Sequence, residues 1–258
     1  APRYVPELLA THDSLEMIAM SAIDGVPYQP GQVVAADDLQ AAVLFYQALN
    51  SDVDSINRYP VAAREGFLSI DEHIRHVEGR LSQLSTGHLP AELKAPAQRV
   101  LGEVRALFDE LLTTAQTRTP SSALWGDLDP DFTQVSPGDF GFHNAISGTK
   151  GPVFIDFEYA GTDDPAKTLT DFFLQPKVPV DSAAFDRLAD EFAVRIPGDY
   201  LKGRARILGR VLSIKWKTII LGPLDPARFP SFEARHKESL APELLTRLRL
   251  AERQTLFD

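Results

Sequence analysis

Three oxygen-bearing side chains stand at a spacing that suits phosphoryl chemistry. Asp139 is followed five positions later by Asn144, and Asp156 lies twelve beyond that. Moving a phosphoryl group to a hydroxyl needs one carboxylate to orient the acceptor and take its proton. An amide and a second carboxylate then hold Mg2+ against the phosphates of a nucleotide. Mg2+ prefers oxygen ligands and keeps several waters, so two protein ligands suffice where phosphate supplies the rest. Between Asn144 and Asp156 the sequence runs NAIS, GTKG and PVFIDF, two short strands joined by a tight turn. Such a hairpin brings both prospective ligands to the same end.

The elements around this hairpin are mostly helical. Leu39, Val43, Tyr46 and Leu49 recur at helical steps from Asp37, the expected N-cap. Phe67, Ile70, Ile74, Val77, Leu81 and Leu84 mark a second helix that Gly87 stops. A third, with Pro96 in its first turn, carries Val100, Val104, Leu107 and Leu111 towards Thr117. From Ser121 to Asp164 the texture changes to Pro, Gly and Asp with short apolar runs, and beyond Pro165 helices resume. They run over Phe185–Phe192, Tyr200–Leu221 and Pro242–Leu256. Ahead of them all, a polar turn at Thr11–Ser14 separates a short apolar stretch from strand-like Leu15–Ile23.

Composition narrows the classes. The 258 residues carry 26 Lys+Arg against 36 Asp+Glu, a net charge of −10, with 44% hydrophobic residues and no cysteine. That apolar share builds a real core, while no apolar run is long enough to cross a bilayer. Without cysteine there is no disulfide scaffold, thiolate metal site or cysteine nucleophile. An acidic chain does not suit non-specific nucleic-acid binding. With no signal peptide in view, a reduced cytoplasmic home is the expectation.

The stretch SPGDFGFHNAI, followed by VFIDFEYAGTDDPAK, resembles the catalytic core of the aminoglycoside phosphotransferase and choline kinase family, a branch of the protein-kinase-like fold. The resemblance implies an α+β, predominantly α-helical C-terminal lobe with a catalytic β-hairpin. It makes Asp139 the catalytic base, Asn144 a metal ligand and Asp156 the principal metal ligand. VPELLATHDSLEMIAMSAIDG resembles the last small-lobe strands and the hinge, so backbone at Ser21, Ala22 and Ile23 would meet the adenine. Residues 1–30 then form a small-lobe remnant and 31–258 the catalytic lobe. The implied activity is ATP- and Mg2+-dependent transfer to a hydroxyl of a small molecule such as an aminoglycoside, choline or a sugar. The chain departs from the family pattern at Pro137, where a histidine is usual, and at Glu158, which follows Asp156-Phe157. No glycine-rich phosphate loop, strand lysine or helix glutamate precedes Tyr4, which leads to the expectation of a piece of a longer protein that binds ATP weakly by itself. A non-catalytic pseudokinase or substrate-binding lobe is the alternative, and a metal-dependent hydrolase the third class.

Other signals have plainer readings. WGDLDPDF reads as a solvated acidic loop, because Phe132 and Gly138 stand where a calcium loop needs Gly and Glu. His73 and His76 read as a solvated helix face, and His143 as packing within its loop. Asp164-Pro165 opens a helix. Lys202, Arg204, Arg206, Arg210, Lys215 and Lys217 read as the solvent side of an amphipathic helix, with an anion-binding surface as the other possibility. Phe172, Phe173 and Trp216 belong to the core.

Overall fold

The computed structural model describes residues 2–52, 61–117 and 124–256. In chain order the helices are α1 (Ala36–Asn50), α2 (Ile70–Ser82), α3 (Ala91–Thr117), α4 (Pro165–Leu174), α5 (Phe185–Phe192), α6 (Gly198–Ile220), α7 (Phe229–Arg235) and α8 (Leu240–Arg253). The strands are β1 (Leu8–His12), β2 (Met17–Met20), β3 (Gly25–Pro27), β4 (Gln134–Ser136), β5 (Ala145–Gly148), β6 (Gly151–Phe154) and β7 (Gly161–Asp163). The class is α+β and mainly helical. The expected texture change at Ser121 begins outside the described residues. No helix among the described residues is long and apolar enough to cross a membrane.

Two compact units divide the chain, one drawn from residues 1–68 and 128–205, the other from 69–127 and 206–258. In the first, β1 and β2 form an antiparallel hairpin whose every residue is exposed. A second sheet runs in the order β3-β5-β6, all antiparallel, and β4 pairs with β7. α1 packs on β4, β6 and α5 through Phe45 and Tyr46. Asp37 and Asp38 sit in its first turn, where they favour the positive helix end, and Ala35 takes the N-cap position expected for Asp37. α4 is buried at all ten positions. Asp164 caps it as the sequence indicated, accepting from the Ala166 N–H at 2.8 Å.

Rings from separate stretches fill this core. Phe140 lies 5.1 Å from Phe154, 5.0 Å from Phe172 and 5.7 Å from Phe45. Phe142 lies 5.9 Å from Phe154 and 5.7 Å from Phe172. Each buried phenylalanine removes a large apolar surface from water, worth about 1.5–3 kcal/mol.

In the second unit α3 packs along α8. α3 begins a turn earlier than its periodicity suggested, so Pro96 stands inside it and cannot donate to the Glu92 carbonyl. Four residues expected to face solvent, one here and three in α6, are buried instead. His73 shares a stripe with Ile70 and Val77 and is buried, not solvated. Arg204 and Lys215 share a stripe with Leu208 and Val211 and are 0% and 5% exposed. Lys217 is 4% exposed as well, whereas Arg206 and Arg210 face solvent. The basic run is therefore no solvated face; half of it lies inside.

Candidate active site

The loop Gly138–Asn144 alternates anchors with exposed groups. Phe140 and Phe142 are buried at 3% and 0% exposure and pin the loop to the aromatic cluster. Asp139, between the buried Pro137 and Phe140, stays exposed. Gly138 has φ +86°, and a Cβ there would lie 2.6 Å from the Tyr159 carbonyl carbon. Only glycine combines that conformation with so close an approach. Phe154 and Phe157 flank Asp156, and both face Phe45, at 5.1 and 6.0 Å between ring centres. Asp156 itself is exposed with φ +67°. Thus the same ring cluster seats the segments on which Asp139 and Asp156 stand.

Asn144 links the two. Its Nδ2 donates to the Asp139 backbone carbonyl at 3.0 Å, and its own carbonyl accepts from the Ile155 N–H at 3.0 Å. Because the amide nitrogen is engaged, its Oδ1 is the atom left for a ligand. Pairing of Ala145 with Phe154 sets Asn144 and Asp156 at one end of the β5–β6 hairpin. The structure therefore brings Asp139, Asn144 and Asp156 into one neighbourhood.

Ser21, Ala22 and Ile23 lie elsewhere, outside any strand, in the segment that joins β2 to β3. They follow β2, where the Ser21 N–H donates to the Glu7 carbonyl at 2.8 Å and its hydroxyl accepts from the Glu7 N–H at 2.9 Å. They lead into β3, whose Gly25 pairs with Gly148 and whose Pro27 pairs with Ile146. The segment thus enters at the hairpin-turn end, opposite the end that carries Asn144 and Asp156. Ile146, Val153 and Ile155 share the face between the two ends and are half-buried.

Of the charges under the loop, Lys167 and Asp171 were not singled out in the sequence, and the pairings of His143 and Arg204 were not foreseen. His143 Nε2 lies 3.1 Å from Asp139 Oδ1, with its ring largely buried. Burial raises the Asp139 carboxyl, but the His143 hydrogen bond and charge outweigh it, and the group titrates below the ordinary carboxylate range. Asp171 adds a smaller opposing influence. Behind it Lys167 bridges Asp163 at 2.7 Å and Asp171 at 3.5 Å, all three buried. Burial raises the Asp163 carboxyl to about 6 despite that lysine. Arg204 Nε donates to Asp164 Oδ2 at 2.6 Å and its NH2 to the Leu68 carbonyl at 2.8 Å. The signal for the first set was legible: Asp163, Lys167 and Asp171 step by four from the end of β7 along one face of α4.

The acidic stretch around Asp127 carries no metal geometry. Asp129 caps a short turn by accepting from the Asp131 N–H at 3.0 Å. No group of three or more His, Cys, Asp or Glu that could hold a metal occurs among the described residues. A site built on Asn144 and Asp156 falls outside that definition and still suits Mg2+, which takes oxygen donors and few of them from protein.

No protein-family model matches the sequence, and no curated protein matches it. Solved structures do. Choline kinase from Cryptosporidium parvum superposes with a TM-score of 0.53 over 97% of this chain and 73% of that chain, at 12% identity. A choline/ethanolamine kinase family protein from Mesorhizobium loti gives 0.47 over 96% and 79%, at 17% identity. An ADP-bound aminoglycoside phosphotransferase gives 0.46 over 96% and 76%, at 12% identity. The first of these defines the class: the chain has the protein-kinase-like fold of a choline kinase. At such identity the likeness is one of fold, and chemistry must be argued from the residues.

Proposed function

We propose that this protein is a phosphotransferase that moves the γ-phosphoryl group of ATP to a hydroxyl of a small molecule. The observation that carries the reading is the convergence of Asp139, Asn144 and Asp156 on one end of the β5–β6 hairpin, within the fold of a choline kinase. Asp139, held ionised by His143, is the base that orients the acceptor hydroxyl and accepts its proton. Asn144 Oδ1 and the Asp156 carboxylate are the atoms that would hold Mg2+; bound there, the ion neutralises charge on the phosphates.

Backbone at Ser21–Ile23 meets the adenine in this reading, and the half-buried face of Ile146, Val153 and Ile155 supports the nucleoside. Its phosphates then reach the opposite end of the sheet. Residues 1–30 belong to the small-lobe side of the nucleotide and 31–258 to the catalytic lobe. Exposed Asp139, Asp156 and Glu158 make the mouth acidic, which suits cationic acceptors. Choline, ethanolamine and aminoglycosides, named for the structural neighbours, are therefore the first acceptors to assay.

The test is transfer from γ-labelled ATP in the full-length protein, with and without Mg2+, across these acceptors. Asp139→Asn should lower turnover by about 10²–10⁴-fold while leaving nucleotide affinity nearly intact. Asp156→Asn should weaken Mg2+-dependent nucleotide binding itself. Unchanged turnover in Asp139→Asn removes the base from its role. Nucleotide binding without transfer to any acceptor favours the non-catalytic lobe.

A further inference from the structure

A cavity of about 350 Å³ opens in the second unit between α3, α6 and the end of α8. It sits at the small end of the range for ligand pockets, roughly 300–1,000 Å³. Leu107, Leu111 and Ile214 give it apolar walls. Its polar side comes from α6, where Lys217 is buried and Arg210 faces solvent. Arg210, Ser213, Ile214 and Lys217 fall at steps of three, one and three, a single helix face.

Two groups on that side lack what burial demands. Lys217 is 4% exposed, yet the Ala251 carbonyl, 2.6 Å from Nζ, is its one hydrogen-bond acceptor among the described residues. No carboxylate there lies within ion-pair distance of it. Ser213 is 6% exposed, and its hydroxyl has no partner among the described residues, not even the preceding-turn carbonyl that a helical serine commonly uses. A buried ammonium with no carboxylate at ion-pair distance and a buried hydroxyl with no partner among the described residues are both unfavourable, and here they stand one turn apart in one cavity. Glu103 and Glu252 act on the Lys217 ammonium only from beyond ion-pair distance and both pair with Arg99, at 2.8 and 2.5 Å, while Glu110 pairs with Arg210 at 3.5 Å.

The geometry points to a binding site for a small amphiphilic monocarboxylate, its carboxylate on Lys217 Nζ and Ser213 Oγ and its apolar body against Leu107, Leu111 and Ile214. One ammonium and one hydroxyl match the two oxygens of a carboxylate. A dianion such as phosphate would meet repulsion from Glu110 and Glu252 with only one buried cation to offset it. Burial lowers the Lys217 ammonium below the usual lysine range and outweighs the opposing pull of Glu103 and Glu252; a bound anion would add to that pull. The site lies wholly within the second unit and does not depend on the phosphotransferase reading.

Calorimetric titration of the intact protein with octanoate and with octan-1-ol tests it. Octanoate should saturate one site and bind at least tenfold more tightly than the alcohol of equal length. Lys217→Met should reduce octanoate affinity to the alcohol's level. Leu107→Trp, at the exposed mouth, should block both ligands without disturbing the interior. Absence of saturable octanoate binding overturns the site. So does equal affinity for acid and alcohol in the wild-type protein, a comparison that stands even if Lys217→Met does not fold. Unaltered octanoate affinity in a folded Lys217→Met variant overturns it as well.

Discussion

His143 Nε2 and Asp139 Oδ1 are 3.1 Å apart, one helical turn of sequence separating a buried ring from an exposed carboxylate. Pro137 precedes the aspartate with no side-chain donor to offer it, and His143 contacts it from the other side of the loop. His143→Ala should move the acid limb of the pH–rate profile upward, because the interaction that lowers the Asp139 carboxyl is lost. Turnover at pH 7 should fall about tenfold or more through lost orientation. His143→Gln, which keeps a donor, should recover much of the rate but not the original pH limb. A full pH–rate series on the three proteins checks this.

Gly138→Ala should be damaging out of proportion to its size. The new methyl carbon would lie 2.6 Å from backbone of Tyr159 at a φ of +86°. Strain of this kind costs on the order of 1–3 kcal/mol. Because Gly138 adjoins Asp139, urea unfolding should show the stability loss and turnover should fall further than stability alone explains.

Lys167→Met should destabilise the fold by about 3–5 kcal/mol, since it leaves Asp163 and Asp171 buried without their cation. The sign with pH follows from Asp163, which burial already raises to about 6, above an unfolded value of about 3.9. Without Lys167 it rises further, so the folded state takes up a proton on acidification before the unfolded state does. The deficit relative to wild type should therefore narrow between pH 7 and pH 5. Urea titrations at the two pH values measure it, and adding Asp163→Asn should restore part of the loss at pH 7.

Arg204→Lys should not behave as a conservative change. The guanidinium serves Asp164 and the Leu68 carbonyl at once from a fully buried position, and one ammonium on a shorter stem cannot reach both in the same geometry. A loss of about 1.5–3 kcal/mol in chemical denaturation is expected, the range for a hydrogen bond to a charged group.

Much of this fold was legible because its apolar residues keep regular periods. Ile70, Ile74, Val77 and Leu81 marked α2, and the NAIS/PVFIDF pair marked the hairpin. The neighbourhood of Asp139, Asn144 and Asp156 was legible too, because the hairpin between the last two forces their ends together. The buried cations were not. Periodicity sorts residues by type, and Arg204, Lys215 and Lys217 were sorted outward although their register lies inward. His73 misled in the same way. A polar residue in an apolar stripe is decided by whether a partner faces it, and such partners arrive from distant sequence: Asp164 for Arg204, Ala251 for Lys217.

Asp156 holds a left-handed backbone conformation that glycine would adopt more comfortably. Asp156→Gly should therefore yield a protein of equal or greater thermal resistance that has lost its grip on nucleotide. A scaffold tuned for durability alone would favour glycine there, so an acidic side chain at that corner is a cost that the proposed reaction would account for.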